Sequence, residues 1–388
     1  MRTRKEIEQL EQHVLAPYAM KSKDSSGRQY PEALHEARTC YQRDRDRIVH
    51  SEAFRKLEYK TQVFVIFEGD YYRTRLTHTI EVAQIARTIG RNLRLNEDLI
   101  EAIALAHDLG HPPFGHAGEE ALSKIMMEAG FKGFNHNKRS FEIVTRFEKR
   151  YPNFEGLNLS REVLVGVLKH QTPFDIPEIR NEFFNEGSTL EAQVVDVADS
   201  LAYLNHDIDD GLTSGCITEE DLIDSDLWRT VFKKISDSLK NQGREMLKYQ
   251  IVKELIDMQV KDLLHASYER IKRAAFKSYR DVKKSRKTII DFSPKMSGER
   301  NRLQGMLNTK LYHHYRVERM TSKARRIIED LFGVYKEKPT QLPYSIYDRN
   351  KKHSKKAEYE VICNYIAGMT DRFALDEHKK LFNPYEKV

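Results

Sequence analysis

The chain is poor in residues that cross-link, kink or loosen a fold. Three cysteines, Cys40, Cys216 and Cys363, are spread over 388 residues with no C-x-x-C pair. That excludes a disulfide framework and a cysteine-based zinc ribbon, and makes the cytoplasm the expected location. Only 11 prolines and 18 glycines punctuate the chain, and strand-like alternation is rare. No run of about 18 apolar residues occurs, so no transmembrane helix and no membrane partner is expected. The mean hydropathy of −0.67 agrees. The opening Met-Arg-Thr-Arg-Lys-Glu has no apolar stretch behind its basic residues and does not read as a secretory signal. There is no internal repeat and no low-complexity tract. An excess of one charge is also missing: 65 Lys and Arg stand against 59 Asp and Glu. The net charge of +6 permits a polyanionic ligand but does not by itself indicate nucleic acid.

What is present is helical periodicity and enough apolar matter, 39%, for a sizeable core. Val82, Ile85, Ala86, Ile89 and Leu93 recur at spacings of three and four, one face of a helix. Asn96 reads as the cap of the next helix, whose Leu99–Leu105 stretch is apolar on most sides and therefore buried. Helices are also expected over Asn158–Lys169, Leu190–His206, Arg244–Tyr279, Lys323–Tyr335 and Glu358–Ala374. The one strand candidate is Val63–Phe67, an arm of a short β-hairpin. Loops are expected at Lys21–Arg28, Thr172–Ser188 and Glu337–Asn350. The fold class is all-α. It divides into an N-terminal arm (1–44), a helical core (45–210) and a helical C-terminal region (211–388).

The chemistry concentrates in Arg75-Leu-Thr-His78 and in Ala106-His107-Asp108-Leu-Gly-His111-Pro-Pro-Phe-Gly-His116-Ala-Gly-Glu119. A His-Asp pair at the end of an apolar helix buries a carboxylate, which costs several kcal/mol without a partner. A divalent cation resolves that cost, because imidazole and carboxylate are both ligands for transition metals. His78 supplies a third ligand from the preceding helix. The fourth is a carboxylate further along, where Asp199, Tyr203 and Asp207 spread over only about 80° of a helix and form a polar stripe. On spacing alone Asp196, one turn earlier, is a rival to Asp199.

This H…HD…D order resembles that of the HD-domain metal phosphohydrolases. The flanks narrow the likeness. Arg43–Ser51, Phe54–Leu57, Lys60–Phe64, Gly69-Asp70, Arg73–His78 and His107–Glu119 resemble the deoxyguanosine triphosphate triphosphohydrolase (dGTPase) family. So do Phe134–Asn137, Asp199–Asp210, Leu311–Val317 and Met369–Arg372. The resemblance implies a helical HD fold that splits a dNTP, with dGTP the expected substrate, into deoxynucleoside and inorganic triphosphate. It implies His78, His107, Asp108 and Asp199 as metal ligands, and favours Asp199 over Asp196 because Tyr203 and Asp207 follow it. His116 matches the catalytic histidine and Glu119 its acidic partner. His111 and His136 match positions near the phosphates; His111 departs from bacterial members that carry Asn there and agrees with vertebrate relatives. Lys169 matches a phosphate-contacting lysine, though a surface lysine is the plainer reading. Gln62 and Asp207 match residues that bond the 3′-hydroxyl, and Tyr203 the ring that packs on the deoxyribose and leaves little room for a 2′-hydroxyl. Tyr312 and His313 match a nucleobase-side region across a one-residue gap.

Elementary chemistry fits those roles. An imidazole such as His116, with an intrinsic pKa near 6.5, suits protonation of a leaving alkoxide at neutral pH. Glu119 shares its helical face if a helix begins after Pro113, and can orient and charge-stabilise the ring. Arg75, one turn before His78, is placed to meet a triphosphate. The mixed N and O ligand set suits Mn, Fe, Co, Ni or Zn, and Mg can join through the phosphates.

From Arg270 to Lys287 there are nine Lys or Arg and one acid, Asp281, with Phe276 and Tyr279 interleaved. A solvated helix face is the plain reading. An allosteric nucleotide or single-stranded DNA site is the sharper one, because family members form homo-oligomers (dimer, tetramer or hexamer) and some respond to nucleotides or DNA. Two competing functions remain. One is an HD phosphohydrolase acting on another nucleotide, with His111, His116 and His136 around a second metal. The other is a nucleotide- or DNA-binding regulator with a relic metal site.

Overall fold

Side-chain caps open the three helices that bring His78, His107 and Asp199 together. Thr74, Asn96 and Thr189 each accept a hydrogen bond from the backbone N–H three residues on, satisfying a donor that a helix start leaves free. The computed structural model describes residues 1–62, 72–170, 187–238, 243–348 and 354–387. The hairpin candidate Val63–Phe67 and most of the 172–188 loop lie outside them. Among the described residues the chain is all-α, with isolated bridges and no sheet.

In chain order the helices are α1 (Arg4–Val14), α2 (Cys40–Val49), α3 (Glu52–Lys56), α4 (Arg75–Asn92), α5 (Glu97–Ala106), α6 (Gly115–Glu128) and α7 (His136–Glu142). There follow α8 (Arg161–Leu168), α9 (Leu190–Ser214), α10 (Glu219–Leu222), α11 (Asp226–Ser238) and α12 (Arg244–Ala274). The last are α13 (Tyr279–Ser285), α14 (Pro294–Leu307), α15 (Tyr315–Glu337), α16 (Lys355–Ala367) and α17 (Asp371–Phe382).

Several helices end where local chemistry stops them. The expected Arg244–Tyr279 helix breaks because Ala275 is left-handed (φ 50°), and Ser278 caps a new helix. The expected Glu358–Ala374 helix is two: the Gly368 N–H closes α16 and Thr370 caps α17. The segment expected to start at Asn158 turns helical only at Arg161. Asn158 is itself left-handed (φ 49°), and its side chain ties down both backbone groups of Tyr30. At the other extreme α9 runs to Ser214, past the expected boundary at 210, and α15 starts at Tyr315 rather than Lys323.

Three apolar cores result. The first joins α2, α4, α5, α8 and α9, with Ala19 and Met20 of the N-terminal segment packed into it. The second gathers the C-terminal half of α9 with α11, α12 and α14 around Trp228, which is fully buried. The third packs α6 against α15, α16 and α17, and includes Phe114. The polar site lies where the first core ends and the other two begin. No described helix is long and apolar enough to cross a membrane. In the basic strip, Arg270 is structural, donating to the Phe292 carbonyl at 2.6 Å, whereas Lys272, Arg273, Lys277, Arg280 and Lys284 are exposed.

Candidate metal centre and catalytic pocket

Four elements bring their polar residues to one point. Arg75 and His78 sit in the first turn of α4, and His107 and Asp108 follow the last residue of α5. Asp199 comes from mid-α9, and His170 lies just past α8. All six are buried. His78 Nε2 is 2.8 Å from Asp199 Oδ1. His107 Nε2 lies 3.7 Å from the same oxygen and 3.4 Å from Asp108 Oδ1. One ligand atom each from His78, His107 and Asp199 falls within a 4.8 Å group.

The donor set fits a divalent cation. His107 Nδ1 is 2.6 Å from the Ala104 carbonyl, which requires the proton on Nδ1 and leaves a lone pair on Nε2. That Nε2 is fully buried and has no hydrogen-bond partner among the described residues. A buried acceptor facing two carboxylates is unfavourable until a cation sits between them. The electrostatics agree. Burial would raise the Asp199 carboxyl, but the surrounding imidazoles of His107, His170 and His78 outweigh it and hold it well below the usual range. Asp108 is likewise held ionised against its burial, by His107, Arg75 and His111.

Two supporting groups escaped sequence reasoning. His170 bridges Asp196 (2.7 Å from Nδ1) and Asp199 (3.1 Å from Nε2), so both nitrogens face carboxylates and the ring is held charged despite its burial. Asp196 therefore faces His170, and Asp199 faces the cluster. Behind His78, His206 Nδ1 lies 3.1 Å away, and His206 Nε2 stands 2.7 Å from the Glu81 carboxylate, short in distance but poorly aligned as a hydrogen bond. Such carboxylate–imidazole chains fix the orientation of a metal-binding ring. The only signals in the sequence were Asp196, three residues before Asp199, and His206, the one histidine in α9.

Asp108 also belongs to a second cluster with His111 and His136, again within 4.8 Å. The His111 and His136 rings stack at 3.8 Å, and His111 Nε2 is 3.3 Å from Asp108. Glu119 does not bond first to His116. Its carboxylate takes the His136 backbone N–H and ring Nδ1, both at 2.9 Å, and lies 3.9 Å from His116 Nδ1. Glu119 is ionised because His136, then His111 and His116, overcome its burial. The His116 side chain, 40% exposed, stands at the pocket mouth, its ring 6.2 Å from that of Tyr203.

Toward the substrate side, several polar atoms lack partners among the described residues. Arg75 is 2% exposed and donates Nη1 to Asp108 at 2.8 Å, yet Nε and Nη2 have no acceptor among those residues. A buried guanidinium with spare N–H groups suits a phosphate. Gln62 Oε1 and Asp207 Oδ1 are buried without a partner among the described residues. Asp207 Oδ2 accepts from the Tyr312 hydroxyl. Burial pushes the Asp207 carboxyl well up. Tyr203, one turn after Asp199, is half-buried between the two acids. Lys169 is half-buried beside His170. His313 is not brought in: it is exposed and lies 3.2 Å from Glu318, so only Tyr312 of that pair reaches the pocket.

The HD domain model matches residues 75–204, and the phosphohydrolase-associated domain model matches residues 290–380. The chain is 50% identical over 384 residues to a deoxyguanosinetriphosphate triphosphohydrolase-like protein of Geobacter metallireducens, covering 97% of each. It is 51% identical over 382 residues to that of Geobacter sulfurreducens, covering 98% of each. To that of Caulobacter vibrioides it is 42% identical over 381 residues, covering 95% of this chain and 96% of the relative.

Proposed function

We propose that this chain, which belongs to the deoxyguanosinetriphosphate triphosphohydrolase-like family of HD-domain proteins, is a divalent-metal-dependent hydrolase of deoxynucleoside triphosphates, dGTP foremost. Its products are deoxynucleoside and inorganic triphosphate. The observation that supports this most is the place of Asp108. It faces the metal cluster through His107, the histidine cluster through His111, and the buried Arg75 through a 2.8 Å ion pair. One carboxylate thus joins a cation site, a set of imidazoles and a phosphate-seeking guanidinium.

His78, His107, Asp108 and Asp199 hold the ion, which when bound supplies Lewis acidity at a phosphoryl oxygen. Arg75 neutralises the triphosphate with the N–H groups it has spare. Water adds its oxygen to the α-phosphorus as the bond from phosphorus to the 5′-oxygen breaks. His116, at the pocket mouth, gives its proton to that departing oxygen. The product triphosphate keeps the hydroxyl of water, and the net proton ends on the nucleoside. Glu119 holds His136 in place and lends negative charge to the histidine group. Tyr203 packs on the sugar, and Gln62 and Asp207 bond the 3′-hydroxyl, satisfying the oxygens that stand without partners.

A second reading rests on the cluster of Asp108, His111 and His136, whose atoms are spaced to take a second ion. On that reading the chain is a phosphohydrolase of another nucleotide, which releases phosphate or pyrophosphate. Product analysis with each of the four dNTPs across Mn, Mg, Co, Ni and Zn separates the two. Triphosphate with one ion per chain supports the proposal; pyrophosphate, or phosphate with two ions, overturns it.

A further inference from the structure

The turn that aims His111 and His116 cannot hold itself. In His111-Pro112-Pro113-Phe114-Gly115-His116 the two prolines have no N–H to donate. Phe114 and Gly115 are both left-handed (φ 66° and 58°), and α6 begins without any side-chain cap. A non-glycine residue in that region persists only where its surroundings impose it. Two tertiary bonds do so, both reaching outside the histidine motif. The Lys60 ammonium donates to the His111 carbonyl, and Asp371 accepts the Phe114 N–H at 2.9 Å.

Asp371 lies 257 residues from Phe114, at the first position of α17, and is fully buried. Its other oxygen accepts from the backbone N–H (2.9 Å) and from the hydroxyl of Thr61. One carboxylate therefore grips both the turn bearing the histidines and the residue before Gln62. Lys60 repeats the link, reaching the Ala367 carbonyl at the end of α16 (3.5 Å), while its own carbonyl accepts the Arg75 N–H (3.0 Å). The register matters because a Cβ at Gly115 would stand 3.3 Å from Arg75 Nη2 and 3.5 Å from the Gln62 carbonyl.

We infer that Asp371 is a positioning residue. It sets the His111–His116 turn against Thr61 and Gln62, so that the C-terminal helices α16 and α17 determine the distance between the proton donor and the sugar. Asp371 touches neither ligand cluster, so its loss leaves the ion in place and misplaces the acid. The inference rests on the function proposed above for His116 and Gln62.

The test uses the full-length, metal-loaded protein. In Asp371→Asn one oxygen becomes an NH2 group facing N–H donors, with no change of shape. The expected result is unchanged metal stoichiometry, a fall in kcat for dGTP of about 10- to 100-fold with KM shifted far less, and faster amide exchange confined to residues 108–118. Thr61→Val, which removes one bond to the carboxylate, gives an intermediate fall, and Thr61→Ser restores the wild-type rate; this pair decides the matter should Asp371→Asn not fold. Folded, metal-loaded Asp371→Asn with kcat within about twofold of wild type, or unaltered exchange at the turn, overturns the inference. Wild-type protein that releases no triphosphate refutes the proposed function instead, and the exchange comparison still judges Asp371.

Discussion

Two of the acids on helix α9, Asp199 and Asp207, are in opposite states. Asp199 is ringed by the imidazoles of His78, His107 and His170 and is held ionised. Asp207 meets a tyrosine hydroxyl and, nearby, Asp210, and its burial drives it toward the protonated form. The residue type, the helix and the burial are the same, so the neighbours decide. The ionised acid can grip a cation. The neutral one can exchange hydrogen bonds with a hydroxyl at no charge cost. The ligand end presents an ionised carboxylate to a cation; the substrate end presents hydrogen-bonding groups to a hydroxyl.

That contrast can be broken by substitution. Asp199→Asn is expected to empty the site and abolish turnover, read by metal analysis and triphosphate release. Asp196→Ala, which removes one of the two carboxylates that hold His170, weakens metal affinity only about 10- to 100-fold. If both acids were equivalent, the two variants would behave alike. Next in size, His116→Ala keeps the ion and loses about 10²- to 10⁴-fold in kcat, because an acid is removed and not a ligand. Metal loss in that variant would reassign His116.

Asp207→Asn sharpens the comparison from the other end. Asn mimics a protonated carboxyl, so kcat/KM at neutral pH falls less than about tenfold, and metal content is unchanged. A collapse equal to that of Asp199→Asn would show Asp207 to be ionised. The smallest effect concerns stability. Glu191, at the start of the same helix, accepts N–H groups from Met20 and Asn96, yet its burial raises its pKa from 4.5 to about 7. The folded state therefore keeps a proton that the unfolded chain loses. Stability falls as pH rises from about 4.5 to about 7 and is level above that. The total is roughly 3 kcal/mol. Glu191→Gln should remove this slope in denaturant titrations; an unchanged slope would place its origin elsewhere.

The helical class was legible because caps and apolar spacing are local. Asn96 does in the structure what its position in the sequence suggests, and the His107-Asp108 pair announces itself by its apolar approach. What stayed hidden depends on packing between distant segments. Ala275 breaks a helix with neither glycine nor proline to mark it. Glu119 is three residues from His116, yet it bonds His136 because α7 enters beside it. His170 and His206 look like ordinary histidines until α4, α8 and α9 converge. Asp371 falls inside the expected Glu358–Ala374 helix and in the Met369–Arg372 stretch that resembles the family, but its role stays hidden because its partners lie near residues 61 and 114.

The most direct measurement is a crystal structure of the manganese-loaded protein with the ion located by anomalous scattering. One peak is expected, about 2.0–2.3 Å from His78 Nε2, His107 Nε2 and carboxylate oxygens of Asp108 and Asp199. A peak seated only among Asp108, His111 and His136, or none near either cluster, would contradict it.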